Sequence, residues 1–216
     1  MPSVKPPVFN FTPTLNAQGS DYITAIAWSP DGSQVAAVSA AGELWLSAAT
    51  GSDNAAIVSI TPDLSLSQVA FAADGQFLAA VGQSGEVRLW AIAPDGSLGE
   101  AITLPVASDS PWLDTLAWHP AAPYLAYGVG TQVNIWDVAE RSALASLEFA
   151  DSSVLHLDWS PQGDRLAVSG HGGVKVWSTT DWLAAPTPVE VPGASLYCRW
   201  SGDGRYLASG NLDRTL

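Results

Sequence analysis

Five times along the chain an apolar stretch ends on an aromatic residue and gives way to a polar turn. The stretches are DYITAIAW ending at Trp28, SLSQVAF at Phe71, WLDTLAW at Trp118, VLHLDW at Trp159 and SLYCRW at Trp200, at steps of 43, 47, 41 and 41 residues. The turns that follow are SPDG (29–32), AADG (72–75), HPAAP (119–123), SPQG (160–163) and SGDG (201–204). Pro suits the second turn position through its fixed φ, and Gly supplies the positive φ that such turns need. A second apolar strand comes next: QVAAVS, QFLAAVG, YLAYGVG, RLAVSG and RYLASG. A third strand holding Trp45, Trp90, Trp136 or Trp177 completes the motif in four units. Outer strands are predicted near 55–60, 101–106, 143–149 and 187–191. No helical period of useful length occurs. A repeat in the forties, built from short strands and tight turns, is the pattern of propeller blades.

Within each first strand the residue two before the aromatic is apolar: Ile26, Val69, Leu116, Leu157 and Cys198. The residue five before it is apolar in four units (Ile23, Leu66, Leu113, Val154), with Ser195 the exception. This pattern predicts first strands buried on both faces, as blades sandwiched between neighbours require. Ala27, Ala70 and Ala117, one residue before the aromatic, leave room for the next blade's ring.

The WSPDG-type turns, the LA-x-x-G second strands and the V/I-W ends of the third strands resemble the WD-repeat (WD40) propeller family over about residues 21–216. The resemblance implies an all-β propeller of four-stranded antiparallel blades, with about five units present. Because the family most often closes with seven blades, it also implies an incomplete ring whose last unit is truncated. Residues 1–20 are expected to be a tail whose lone strand, VFNFTPTL at 8–15, closes the ring. Residues 21–216 are the blades. The sequence departs from the family in lacking Gly-His pairs before its first strands. The turn Asp occurs only as Asp213, with Gly42, Gly85, Gly130 or Gly172-Gly173 elsewhere. The family's buried polar network is therefore expected to be largely missing.

Composition narrows the function. Hydrophobic residues make up 47% and charged residues 13%, ample for a core and incompatible with disorder. The net charge of −13 repels phosphate backbones, so no nucleic-acid partner is expected. No apolar run approaches the roughly 20 residues of a membrane helix, and the N-terminus does not read as a secretory signal. A single cysteine, Cys198, offers no internal disulfide. A soluble cytoplasmic protein without membrane contact is expected.

Catalytic chemistry is hard to assemble. His119 lies in a turn, His156 in a first strand and His171 in a Gly-rich turn, so no shared metal site is expected. Ser169-Gly-His-Gly-Gly173 precedes a strand, and so lacks the helix dipole of an anion cradle. Cys198 is predicted to be buried and inert. Asp114 and His156 fall at opposite parity of equivalent strands, which places them on opposite faces unless a bulge intervenes. No catalytic residue, cofactor or metal is therefore predicted. The function expected is a non-enzymatic scaffold for protein–protein interactions. The alternative is an enzyme or small-molecule sensor with its site in the central channel, where Thr24, Ser67, Thr115 and His156 are the polar residues on offer. By the resemblance, partners dock on the end that carries Tyr22, Asp109, Trp112, His171 and Asn211. Trp112 reads equally as an anchor or as cover for a blade edge, and Trp182 as local packing. Self-association through open blade faces is a further expectation.

Overall fold

Eighteen strands and no helix make up the described part of the computed structural model, which comprises residues 18–49, 56–59, 62, 64–106, 113–149, 152–191 and 193–216. The strand foreseen at 8–15 lies outside these residues. The first sheet runs β1 (Ile23–Trp28), β2 (Gln34–Ser39), β3 (Glu43–Ala48) and β4 (Ala56–Ser59). The second has β5 (Leu66–Phe71), β6 (Phe77–Gly82), β7 (Val87–Ala91) and β8 (Ile102–Leu104). The third has β9 (Leu116–Trp118), β10 (Tyr124–Val129), β11 (Gln132–Asp137) and β12 (Ser142–Glu148). The fourth has β13 (Val154–Trp159), β14 (Arg165–Gly170), β15 (Gly173–Ser178) and β16 (Thr187–Val189). The fifth contains β17 (Ser195–Trp200) and β18 (Leu207–Asn211). Each four-stranded sheet is an antiparallel meander, and the first strands of successive sheets touch in the order β1, β5, β9, β13, β17. These are the blades that the period predicted, with the first strands innermost.

The burial pattern of the first strands corrects one expectation. In β1, β5, β13 and β17 the ladder to the second strand skips a residue: Thr24, Ser67, Leu155 and Leu196. The extra residue is a β-bulge four positions before the aromatic, and it reverses side-chain parity at that point. Leu66, Val69 and Phe71 therefore pair with Gly82, Ala80 and Leu78, alternate residues of one strand, and lie on one face. Positions five, two and zero before the marker thus form a single apolar face rather than two. The opposite face carries the small residue before the aromatic and its neighbours.

Blades stack by joining unlike faces. The first core cluster sets Ala36, Val38, Leu44 and Leu46 of the first blade against Leu66, Val69, Phe71, Leu78 and Trp90 of the second. The second joins Ala79, Val81, Val87 and Leu89 to Leu113, Leu116, Leu125 and Tyr127. The third joins Ala126, Val133 and Ile135 to Val154, Leu157, Trp159, Leu166, Val168 and Trp177. Trp182, off the repeat pattern, packs edge-on against Trp159, the local role expected of it. Small residues on one side of each joint admit large ones from the other, which is how interiors reach crystal-like density.

Two glycines mark where the backbones close in. A Cβ on Gly82 would stand 2.3 Å from the Ser65 carbonyl oxygen, and one on Gly170 equally close to that of Ser153. The turn aspartates serve their own turns. Asp31 accepts from Ser29 Oγ, Ser33 N and Ser33 Oγ, and these bonds, led by the Ser29 hydroxyl, hold its pKa down at about 2. Asp203 repeats the device with Ser201 Oγ and Arg205 N. Much of the negative charge is thus committed to turn geometry, as its placement in the sequence suggested.

Candidate functional site

Three regions offer accessible chemistry: the inner rim of the first strands, the blade end that carries the loops before them, and the opposite end with its SPDG-type turns.

The inner rim is built by the bulges. Thr24 donates its hydroxyl to Leu66 O (2.6 Å) and Val38 O (3.1 Å). Ser67, the bulge residue of the next blade, donates to Asp114 Oδ1 at 3.3 Å. Gln68 Oε1 accepts the Leu116 amide at 2.8 Å. Thr115 is buried, and its hydroxyl has no partner among the described residues. His156 lies against Tyr197, ring centroids 3.7 Å apart. Burial, helped by the nearby Arg199 charge, pushes the His156 pKa down to about 4, against the pull of a hydrogen bond with the Cys198 backbone. Asp158 accepts the Trp200 amide at 2.6 Å and stands 3.7 Å from Arg199. Its carboxyl is nonetheless raised above the usual range, because burial outweighs both neighbours. The bulge that parity alone left open is present, yet the two acid–base candidates face different partners: Asp114 meets Ser67, and His156 meets Tyr197. Thr24, Ser67, Gln68 and Asp158 are spent on holding blades together, whereas Thr115 Oγ1 and His156 Nδ1 are buried without a partner among the described residues.

The remaining groups follow the same logic. Cys198 is fully buried, and burial pushes its thiol up to about 12. His119 accepts the Ala121 and Ala122 amides at Nδ1, so the proton sits on Nε2, which donates to Gly163 O at 3.1 Å. It joins the turns of the third and fourth blades. Burial lowers its pKa despite the Gly163 bond. Among the described residues no three His, Cys, Asp or Glu side chains gather as metal ligands would.

At the end that carries the loops before the first strands, Tyr22 is exposed just before β1, with its carbonyl accepting the Ala40 amide. His171 is exposed in the turn between β14 and β15. Asn211 is half-buried at the end of β18 and donates through Nδ2 to Thr215 Oγ1. Asp109 and Trp112 lie outside the described residues. Tyr22, His171 and Asn211 belong to the first, fourth and fifth blades, and among the described residues no hydrogen bond joins them. They share an end of the blades rather than a pocket.

The opposite end holds two hollows that sequence reasoning passed over. One, about 450 Å³, lies between the first two blades beside Asp31, Gln34, Asp74, Ile92 and Gly96. The other, about 340 Å³, lies between the second and third beside Ala72, Phe77, Ala122 and Pro123. Gln34 Nε2 donates to Gly96 O at 2.8 Å across the first joint. The turns were visible in the sequence, but which turns adjoin is a property of blade stacking.

Comparison with known proteins agrees with this architecture. A family model described as "WD domain, G-beta repeat" matches residues 9–58, 61–91, 142–178 and 194–216. The chain is 32% identical over 118 residues to WD repeat-containing protein VIP3 of Arabidopsis thaliana, covering 47% of this chain and 36% of that protein. It is 27% identical over 115 residues to F-box-like/WD repeat-containing protein TBL1Y of Homo sapiens, covering 46% and 22%. It is 25% identical over 109 residues to the periodic tryptophan protein 2 homolog of Caenorhabditis elegans, covering 48% and 12%. The match thus takes in a third or less of most of these relatives' own lengths.

Proposed function

Since the chain belongs to the WD-repeat family, we propose that it is a non-enzymatic scaffold that presents its docking end to protein partners. One observation carries this reading: Thr24, Ser67, Gln68 and Asp158 of the inner rim are engaged in joints between blades, whereas Tyr22 and His171 at the blade ends are exposed. A rigid surface bearing aromatic anchors is what such binding requires. Tyr22, Asp109, Trp112, His171 and Asn211 are the proposed contact residues, with Trp112 as the anchor. The partner class is protein; the net charge of −13 argues against nucleic acid. The cytoplasm is the proposed location. We also propose that the chain self-associates through an exposed blade face.

Affinity capture from the source cells followed by mass spectrometry identifies the partner. Its affinity is then measured for the wild type, Trp112→Ala and Tyr22→Ala. Trp112→Ala is expected to weaken binding by about 2 kcal/mol with the fold intact. Unchanged binding for both variants overturns this docking end. A reaction catalysed by the purified chain and abolished by His156→Gln overturns the non-enzymatic reading.

A further inference from the structure

We propose that the hollow between the first two blades binds an arginine side chain displayed by a protein partner. It is a second site, at the end opposite Tyr22 and His171, and it stands or falls independently of the docking end proposed above. The hollow is about 450 Å³, within the range of about 300–1,000 Å³ usual for ligand clefts. The first blade bounds it with Asp31 and Gln34, and the second with Asp74, Gly75, Ile92 and Asp95. No Lys or Arg is among its described lining residues.

The repeat itself shows what fits between two such turns. In the joint between the fourth and fifth blades the corresponding place is taken by an arginine of the chain. Arg165, six residues after Trp159, donates through Nη2 to Gly204 O at 2.9 Å, stands 3.4 Å from Asp164 and lies 4.4 Å over the Trp200 ring. Gln34 stands six residues after Trp28, and Gly75 follows Phe71 by four residues as Gly204 follows Trp200. Gln34 turns instead to Gly96 O, at 2.8 Å. Among the described residues no hydrogen bond reaches Gly75 O. The place that a guanidinium holds in the later joint is therefore open in the first one, with its acceptor still in position.

The charges around the opening select a cation. Asp31, Asp74 and Asp95 are exposed, and each spends Oδ1 on its own turn, accepting the Ser33, Gln76 and Ser97 amides at 3.0, 2.9 and 3.0 Å. Among the described residues nothing donates to Oδ2 of any of the three. The carboxylates are thus fixed by their turns with one oxygen each to spare. The Ser97 hydroxyl and amide hold the Asp95 carboxyl below the usual range, as the Ser29 hydroxyl does for Asp31, so both are charged at neutral pH. Arginine fits better than lysine, because its planar fork meets a carbonyl and a carboxylate at once, as Arg165 does. Ile92 gives the arginine methylenes an apolar wall. Pro30, Ala93 and Pro94 around the opening give the rest of a polypeptide a surface to lie on, which a free amino acid would leave bare.

The test titrates the isotope-labelled 216-residue chain with the peptide acetyl-Gly-Arg-Gly-amide and, separately, with its citrulline counterpart, which keeps the shape and loses the charge. Amide NMR shifts report where each binds. The arginine peptide is expected to give saturable shifts at the residues lining the hollow, and the citrulline peptide to bind at least about tenfold more weakly. Gln34→Arg places a guanidinium of the chain where Arg165 stands in the later joint, and is expected to weaken the arginine peptide at least about tenfold. Circular dichroism checks its fold. Asp74→Asn, which keeps the turn acceptor and removes the charge, is the second variant and is expected to weaken binding at least about threefold. Shifts that are absent, or that spread over the acidic surface without saturating, overturn the site. Equal binding of the citrulline peptide overturns recognition of the charge. A folded variant of either kind that binds the arginine peptide like the wild type overturns the placement in this hollow.

Discussion

Trp159 reaches one blade back with its indole N–H to the carbonyl of Ala117, 3.1 Å away and 42 residues earlier in the chain. Both partners are held by β ladders, so the bond ties two sheets that share no strand. Trp118 makes the same bond to Ala70. At the first joint Phe71 occupies the position and has no such donor; Thr24 and Gln34 supply the ties there. At the last joint Trp200 Nε1 finds no partner among the described residues, while its backbone amide goes to Asp158 and its ring lies 4.4 Å beneath the Arg165 guanidinium.

Replacing Trp159 by Phe keeps an aromatic ring in the joint and removes the donor. The expected cost is about 1–2 kcal/mol, the worth of one buried hydrogen bond with some packing. Urea unfolding at equilibrium measures it. A change within about 0.3 kcal/mol would mean that ring packing alone holds the third and fourth blades together.

Leu157 and Ile26 occupy equivalent positions with opposite exposure. Leu157→Ala should cost about 2–5 kcal/mol, since it opens a cavity in a packed joint. Ile26→Ala should cost under about 1 kcal/mol in dilute protein, since its side chain is largely exposed. Equal costs would contradict the one-sided packing of the first blade.

Mild acid should weaken the fold through its buried imidazoles, an effect opposed in part by Asp158, whose carboxyl burial raises. His156 is held neutral by burial, with its pKa near 4, whereas an unfolded histidine takes up a proton near 6.5. The unfolded chain therefore binds more protons between those values, and stability falls as pH drops from about 6.5 towards 4. His119, also lowered by burial, adds to the same slope. Urea midpoints measured across this window should fall less steeply for His156→Gln than for the wild type. An unchanged slope would show that the buried imidazole is not the source.

Cys198 should be chemically silent in the native state. Its thiol is fully buried, and burial lifts its pKa to about 12, so almost no thiolate exists at neutral pH. Alkylation by iodoacetamide should run at least about 100-fold slower in the folded chain than in guanidinium chloride. Comparable rates would require the fifth blade to open readily.

The blade plan was legible because it rests on local chemistry repeated five times: a marker aromatic, a Pro/Asp/Gly turn and two short apolar strands. The fixed spacing supplied the long-range pairing that one blade alone would not reveal. Parity was misjudged at the first strands, although a signal was present. Apolar residues five, two and zero before the marker are separated by three and then two positions, and an odd step within one buried face requires an inserted residue. Candidate site residues were less legible. Asp158 and Gln68 take partners on the following blade, at Trp200 and Leu116, and spacing within a repeat says nothing about that choice. The role of His119 as a tie between two turns was equally hidden, since it depends on Gly163 approaching from the neighbouring blade.

The bulge four residues before Trp28, Phe71, Trp159 and Trp200 gives those first strands something like a reading frame. Losing Leu155 would restore strict alternation and turn Val154 away from the face it shares with Leu157 and Trp159. A single-residue gain at the same place would displace it just as surely. Sequence drift in these blades is therefore channelled: side chains within the inner strands can be exchanged, and the loops between strands can change length, but the inner strands cannot change their count by one without exchanging inside for outside.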